Sequence, residues 1–427
     1  MSPRDNQNDT TQPPKSENVD SYQSKHNHGW RHLVRNFTPA WFSVNMGTGI
    51  VSTLLNTLPY NGRWLYWISV VIFCLNVLLF IIFLAITILR YILYPKAFYL
   101  MVTHPSQSLF VGTLPMGFAT IINMVCYVCV PAWGNWAAYF ALGLWIVDAV
   151  LAVMTCFGIP FIVYGVHISP DEDTRTNSFS RMTRTAHTEI QEMGAAWLLP
   201  IVSCVVAAAS GAIVADVLPN PQHALGTIIA SYFLWGIGVP LAMMVIVIYL
   251  LRLMLYKLPP RAVIVSTFLP LGPLGQGGFG IQKLGLAAQK VFPLTGTLRP
   301  GTGDIFYDIG FMMGLLMWSF GCLWLFFAMA AIIRSRKIPF NLGWWAFTFP
   351  LGVFTTCTIQ LGKEMPSRFF KVLGTILAVC VLLKWIVVSL FTLKGAFNRS
   401  LFVAPCLADF QEYEPLKFQK EKHGANE

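Results

Sequence analysis

Side chains able to do covalent chemistry are few in this chain, and they do not gather into a reactive set. Cys126-Tyr127-Val128-Cys129 has the spacing of a metal or redox pair, but no second pair and no His stands nearby. Inside an apolar run these thiols read as small hydrophobes, as do Cys74, Cys156, Cys204, Cys322, Cys357 and Cys380. Gly275-Gln276-Gly277-Gly278-Phe279-Gly280 has the look of a phosphate loop. No strand precedes it and no Lys-Ser/Thr follows, so it reads as close helix packing or a backbone-lined wall. No nucleophile, base and orienting residue recur together. The expectation is no catalytic residue, no metal and no cofactor. What remains is a set of uncharged hydrogen-bonding groups inside apolar runs: Asn45, Thr48, Asn123, Ser203, Gln276, Gln282, Thr355 and Thr358. Such donors suit an anion that must bind weakly and leave; each can equally serve a neighbouring helix.

The elements that must position these groups follow from composition. The chain has 427 residues, is 55% hydrophobic and only 11% charged, against about 25% charged in soluble domains. Apolar runs near 20 residues, long enough to cross ~30 Å of hydrocarbon, recur throughout. The reading is an all-α polytopic membrane protein, with no nucleic-acid surface despite a net charge of +10. Residues 1–36 read as a disordered tail, 37–397 as the membrane domain and 398–427 as a second polar tail. Ten spans are predicted near 39–58, 65–93, 108–130, 136–166, 195–217, 226–256, 262–284, 305–333, 343–361 and 369–394. The links after Pro59, Pro131 and Pro219 are short, so the spans pair as five helical hairpins.

The first span of each hairpin carries a Pro or Gly break and no charge except at two span ends, Asp216 and Lys283. The breaks are Phe42 to Gly49 (with Asn45, Gly47 and Thr48), Pro115-Met116-Gly117-Phe118, Pro200, Pro270-Leu271-Gly272 and Phe349-Pro350. A proline inside a helix frees a carbonyl that lipid cannot satisfy. Five breaks therefore suggest a shared interior, a central pore; the alternative is that they only shape packing. Counting at ~1.5 Å per residue puts Phe42–Asn45, Pro115–Phe118, Pro200 and Phe349-Pro350 in one inner ring. Phe349 beside its proline is the candidate plug, since hydrophobic constrictions gate by dewetting. It is otherwise simply core.

Charge fixes the orientation. Fifteen Lys and Arg, among them Arg90, Arg252 and Arg334, flank one set of span ends. Seven, among them Lys283, Lys290 and Arg299, flank the other. The richer side is cytoplasmic, with both termini inside. Lys283, Lys290 and Arg299 are expected at the outer end of the seventh span, as an anion-attracting mouth or as an ordinary loop. Asp148 and Lys384 lie at membrane depth, where charge is costly and usually paired or functional. They are expected to pair with each other or to find interior hydrogen bonds. A proton-coupling role for Asp148 is the alternative. Residues 168–194 form a long polar loop in which Ser and Thr near Arg are candidate regulatory positions.

Two motifs resemble a known family. Asn36-Phe37-Thr38-Pro39-Ala40-Trp41-Phe42 followed by Met46-Gly47-Thr48-Gly49 is similar to the first helix of the tellurite-resistance/dicarboxylate transporters. Trp344-Trp345-Ala346-Phe347-Thr348-Phe349-Pro350 resembles their ninth. That family includes bacterial tellurite-resistance proteins, fungal malate permeases, guard-cell slow anion channels and fungal sulfite efflux pumps. The entry motif and the Pro270 to Gly280 stretch are most similar to the sulfite pumps. The resemblance implies ten helices in quasi-fivefold arrangement, a homotrimer with a pore in each subunit, and a ninth-helix Phe as occluding plug. That role carries onto Phe349, with Phe347 as the next candidate. It further implies plasma-membrane efflux of sulfite or hydrogensulfite. A dicarboxylate carrier or broader anion channel is the alternative, although a dicarboxylate would favour fixed cations, and the five broken spans hold only Lys283, at the end of the seventh. A membrane-embedded enzyme would need a catalytic cluster that is not found.

The topology makes one prediction. Asn8, Asn36 and Asn398 each begin a glycosylation sequon and are expected inside, so endoglycosidase treatment of protein from a eukaryotic host leaves its gel mobility unchanged. A shift abolished by Asn398→Gln would invert the orientation.

Overall fold

A computed structural model describes residues 29–168, 193–256, 258–335 and 337–407. The expected tails before residue 29 and after 407, and the loop at 169–192 with its candidate regulatory positions, lie outside the described residues. Helices and turns make up the described chain, with no strand among the described residues. Ten long helices stand out: α1 Phe42–Thr57, α2 Arg63–Leu93, α3 Thr113–Met124, α4 Asn135–Ile168 and α5 Leu198–Val217, then α6 Pro221–Tyr256, α7 Leu271–Thr295, α8 Thr302–Arg334, α9 Phe349–Glu364 and α10 Arg368–Phe397. Among the described residues, eight helical stretches are long and apolar enough to cross a membrane; α1 and α7 fall short by length or hydropathy.

The odd-numbered helices close on one another. α1 packs on α3, α3 on α5, α5 on α7, α7 on α9, and α9 back on α1. Each also packs on the long helix that follows it. Burial divides the two sets: the most apolar stretch of Ala195–Val217 is 100% buried, and that of Arg63–Leu93 only 22%. The outer helices instead present Val71, Phe161, Met254, Phe326 and Leu390 outward as exposed apolar side chains, as a lipid-facing surface does.

The prolines act differently from expectation. Each inner helix begins with a short 3₁₀ turn, namely Pro39–Trp41, Ser108–Gly112, Ala195–Trp197, Ile264–Phe268 and Leu342–Phe347. The α segment follows at or shortly after that turn. Pro115 and Pro200 are third residues of their α segments, Pro350 is second, and Pro270 immediately precedes Leu271. In the first turn of a helix an N–H has no intrahelical partner, so proline there loses no bond. The prolines therefore stand at the starts of α segments rather than at mid-helix kinks, while Gly47 and Gly49 lie inside α1. Hydroxyls tie several of these junctions: Ser43 Oγ donates to Ala40 O at 2.6 Å, Thr113 Oγ1 to Phe110 O at 2.7 Å and Thr348 Oγ1 to Trp345 O at 2.8 Å.

Two boundaries also move. The seventh span, expected at 262–284, has its α segment at Leu271–Thr295, because backbone bonding outlasts the fall in hydropathy and ends only at Gly296 with φ 62°. At the termini the packed body reaches into both expected tails. Trp30–Arg35 is helical. Phe402 stacks on Trp41 at 4.8 Å, and buried Arg90 donates to Arg35 O at 3.0 Å and approaches Cys406 Sγ at 4.0 Å.

Each contact in the inner ring includes a glycine, in a helix or in the turn that precedes it, with no room for a Cβ. Gly49 faces Thr120, Gly112 faces Leu199, Gly280 faces Ala209, Gly275 faces Val353 and Phe354, and Gly352 faces Ile50. A Cβ on Gly275 would lie 2.5 Å from the Phe354 backbone nitrogen, whereas one on Gly143 in α4 meets nothing within 4 Å. Overpacking of a filled site costs about 1–3 kcal/mol, and here the obstacle is backbone. Gly275→Ala is thus expected to lower the thermal midpoint of the purified protein by several degrees or abolish its yield, with Gly143→Ala unchanged. Equal behaviour of the two variants would refute the close-packed α7–α9 contact.

Candidate functional site: a narrow central cavity

Where the five inner helices meet they enclose a cavity. Its wall is Ile50 and Thr53 of α1, Thr120 and Asn123 of α3, Val206 and Ile213 of α5, Gln276 and Phe279 of α7, and Phe349, Val353 and Thr356 of α9. No lining residue is charged. The space for a water centre is about 10 Å³, roughly enough for one water molecule. An oxyanion does not fit without movement of the wall.

Of the residues expected along the path, Asn123, Gln276 and Phe349 line this cavity. Phe349 is buried, 3% exposed, at the first residue of α9. The others serve the helix contacts. Phe42 meets Phe80 and Phe83 edge-on at 5.7 and 6.2 Å, and Phe118 stacks on Phe80 at 5.3 Å, so both turn toward α2. Asn45 Nδ2 donates to Asn76 O and Oδ1, each at 3.1 Å, and Asn76 Nδ2 donates to Thr120 Oγ1 at 3.1 Å. That relay holds one cavity threonine in place. Thr48 accepts from Trp385 Nε1 at 3.2 Å. Ser203 donates to Pro200 O at 2.5 Å and Ala152 O at 3.1 Å, and Thr355 to Leu351 O at 2.7 Å. Gly47 lies against Trp345 and Thr348, and Gly49 against Thr120. Pro115, Pro200, Pro270 and Pro350 are buried at their helix starts. Phe347 belongs to the preceding 3₁₀ turn, packs on Phe268 at 5.1 Å and is absent from the cavity wall.

The ring therefore sits further along the helices than the motif residues. Ile50, Thr53, Thr120 and Val206 follow Asn45, Pro115 and Pro200 by five to eight residues, about 8–12 Å at the helical rise. The available signal was the spacing, since a helix that begins at its proline turns a different face inward one or two turns later.

The charged candidates change partners. Asp148 is fully buried on α4, with neither carboxylate oxygen hydrogen-bonded among the described residues. Lys384 lies over the rings of Phe268 and Phe347 at 5.1 and 5.2 Å, a cation–π cradle. The expected Asp148–Lys384 pair does not form: α4 packs on α3 and α5, α10 on α9 and α1. At the far end of α7, Lys290 Nζ is 3.0 Å and Lys283 Nζ 4.0 Å from the Asp216 carboxylate. Both lysines ride on α7 itself, and Arg299 is exposed in the connection after it. The three cations do not form the bare cluster expected from the sequence, because the end of α5 brings Asp216 between two of them.

A closed ring of inner helices, an uncharged narrow cavity and a lipid-facing outer shell define a membrane channel or carrier for a small solute. The chain belongs to the voltage-dependent anion channel family, whose model matches residues 36–393. It is 51% identical over 369 residues to the sulfite efflux pump SSU1 of Trichophyton rubrum, covering 86% of this chain and 93% of that one. It is 28% identical over 388 residues to the sulfite efflux pump SSU1 of Candida albicans, covering 86% and 76%. To the malic acid transport protein of Schizosaccharomyces pombe it is 24% identical over 374 residues, covering 86% and 80%.

The paired lysines make a measurable forecast. Asp216→Asn leaves Lys283 and Lys290 uncompensated, so anion flux rises at ~10 mM salt and converges with wild type near ~1 M, where charges are screened within about 3 Å. Replacing Lys283, Lys290 and Arg299 by Gln lowers flux over the same range. Changes of equal size at every ionic strength would rule out an electrostatic mouth.

Proposed function

We propose that the protein is a plasma-membrane efflux transporter for sulfite and hydrogensulfite, working through a pore inside each subunit. The single observation that carries this reading is a cavity walled by all five inner helices with Phe349 in its wall. In this reading all ten helices cross the bilayer as five hairpins about a quasi-fivefold axis, both termini are cytoplasmic, and three subunits assemble. The transporter does no covalent chemistry on its cargo.

Phe349 is the gate. Its ring occupies the first turn of α9, which Pro350 starts, and the cavity behind it has room for about one water. An anion passes when that ring swings aside and the apolar constriction wets. Outward movement of a negative charge from a negative interior gains about 2.3 kcal/mol per elementary charge per 100 mV. Export thus needs no fixed cation to draw the anion through. The similarity to a malic acid transport protein keeps a dicarboxylate in the comparison, but a lining with no Lys, Arg or His offers such an anion no counter-charge.

Purified protein in liposomes should move sulfite at least about tenfold faster than malate at matched gradients, a difference of about 1.4 kcal/mol in barrier. The voltage and pH gradients are varied separately. Phe349→Ala is expected to raise the anion leak by a similar factor. A well-expressed Phe349→Ala variant with wild-type conductance removes Phe349 as the gate, and equal sulfite and malate rates remove the substrate assignment.

A further inference from the structure

The hydrogen-bonding groups around the central cavity are unevenly divided between donors and acceptors. Thr53 Oγ1 donates to Gly49 O at 3.1 Å and Thr356 Oγ1 to Val353 O at 2.8 Å. Thr120 Oγ1 donates to Gly117 O at 2.7 Å and also accepts from Asn76 Nδ2. The three hydroxyl protons are thus committed within their own helices, and the oxygens meet a guest as acceptors. Turning one of them around forfeits about 0.5–1.5 kcal/mol. The only other polar side chains in the wall are Asn123 and Gln276, each with one NH₂ and one acceptor oxygen. Asn123 Oδ1 is buried with no donor among the described residues. Five residues offer acceptor oxygens, two offer N–H groups, and none is ionisable.

That balance discriminates between the two anions of sulfurous acid. The dianion brings only acceptors, and its transfer from water costs about four times that of a monoanion because the Born term grows as the square of the charge. Three threonine oxygens and two amide oxygens repel it, and two amides cannot satisfy it. A monoanion that retains its acid hydrogen brings a donor for an oxygen that lacks one. We infer, resting on the sulfite-efflux reading above, that the species the cavity admits is hydrogensulfite. Asn123 Oδ1 accepts its acid hydrogen, while the amide N–H groups of Asn123 and Gln276 hold its charged oxygens. No proton is exchanged with the protein: each sulfur carries its own hydrogen and one negative charge outward.

The test uses the full-length wild-type protein in liposomes, with protein-free vesicles subtracted. Initial sulfite flux is measured over a range of concentration and of pH on the loading side. The expected result is that rates from all pH values fall on one saturation curve when plotted against hydrogensulfite concentration. At fixed total sulfite below saturation, the rate then falls about tenfold per pH unit above the second ionisation of sulfurous acid. One elementary charge moves per sulfur. Asn123→Leu lowers the flux about tenfold or more, the worth of one hydrogen bond to a charged group, and Asn123→Gln restores part of it. Rates that fall on one curve against the dianion instead, or two charges moved per sulfur, overturn the proposal. So does a maximal rate that titrates while the hydrogensulfite KM stays fixed, which would place the proton on the protein. These readouts need no variant to fold. Absence of any sulfite flux above protein-free vesicles at every pH would instead sink the efflux reading itself.

Discussion

Five helices can close a ring around a gap the size of one water only if their backbones approach to near contact, and the whole architecture depends on that approach. A glycine stands at each of the five contacts, opposite Thr120, Leu199, Ala209, Phe354 or Ile50. In lipid there is no hydrophobic drive between helices, and association comes from close packing and interhelical hydrogen bonds. The small residues provide the first and the Asn45–Asn76–Thr120 relay provides the second. The outer helices need no such fit on their lipid face, and their exposed Val, Phe, Met and Leu side chains have none.

The same packing decides the chemistry of the interior. Within each helix, hydroxyls that would otherwise face a guest bond to carbonyls one turn back, as in Thr53 and Thr356. The cavity is left polar but short of protons. Its side-chain donors are confined to two amides, on α3 and α7, in a wall shared with Phe349 of α9. Selectivity in the proposed transporter then comes from what the guest can donate rather than from what the wall can donate. The absence of charge from the lining keeps residence short.

The motifs and the cavity occupy different levels for a simple reason. Proline at the start of an α segment costs nothing and sets where helical bonding begins, so the conspicuous residues mark helix entries. The side chains facing the axis come one or two turns later, in stretches such as Ile50–Thr53 and Val353–Thr356, whose composition is unremarkable for an apolar helix. Phe349 belongs to both levels because α9 starts on it. Asp216 shows the same limit at the periphery: its meeting with Lys283 and Lys290 joins residues separated by 67 and 74 positions, and nothing local in the sequence announces it.

By itself the sequence determined an all-helical membrane chain, the alternation of Pro- or Gly-marked spans with long lipid-facing ones, and the positions of Pro115, Pro200, Pro270 and Pro350 as points where the spans change. Hydropathy, charge and proline act locally, and periodicity reports them directly. It also named Asn123, Gln276 and Phe349 within a longer set of candidates, because a polar or bulky group inside a Pro- or Gly-broken apolar span has few uses in lipid. Only the tertiary structure decided that the prolines begin helices rather than kink them, and that Asp148 and Lys384 stay apart. It likewise decided that most of the expected donors bond to backbone carbonyls or neighbouring helices rather than face the cavity. Those outcomes depend on which helices touch and how each is rotated about its axis, and rotation is set by partners distant in the chain.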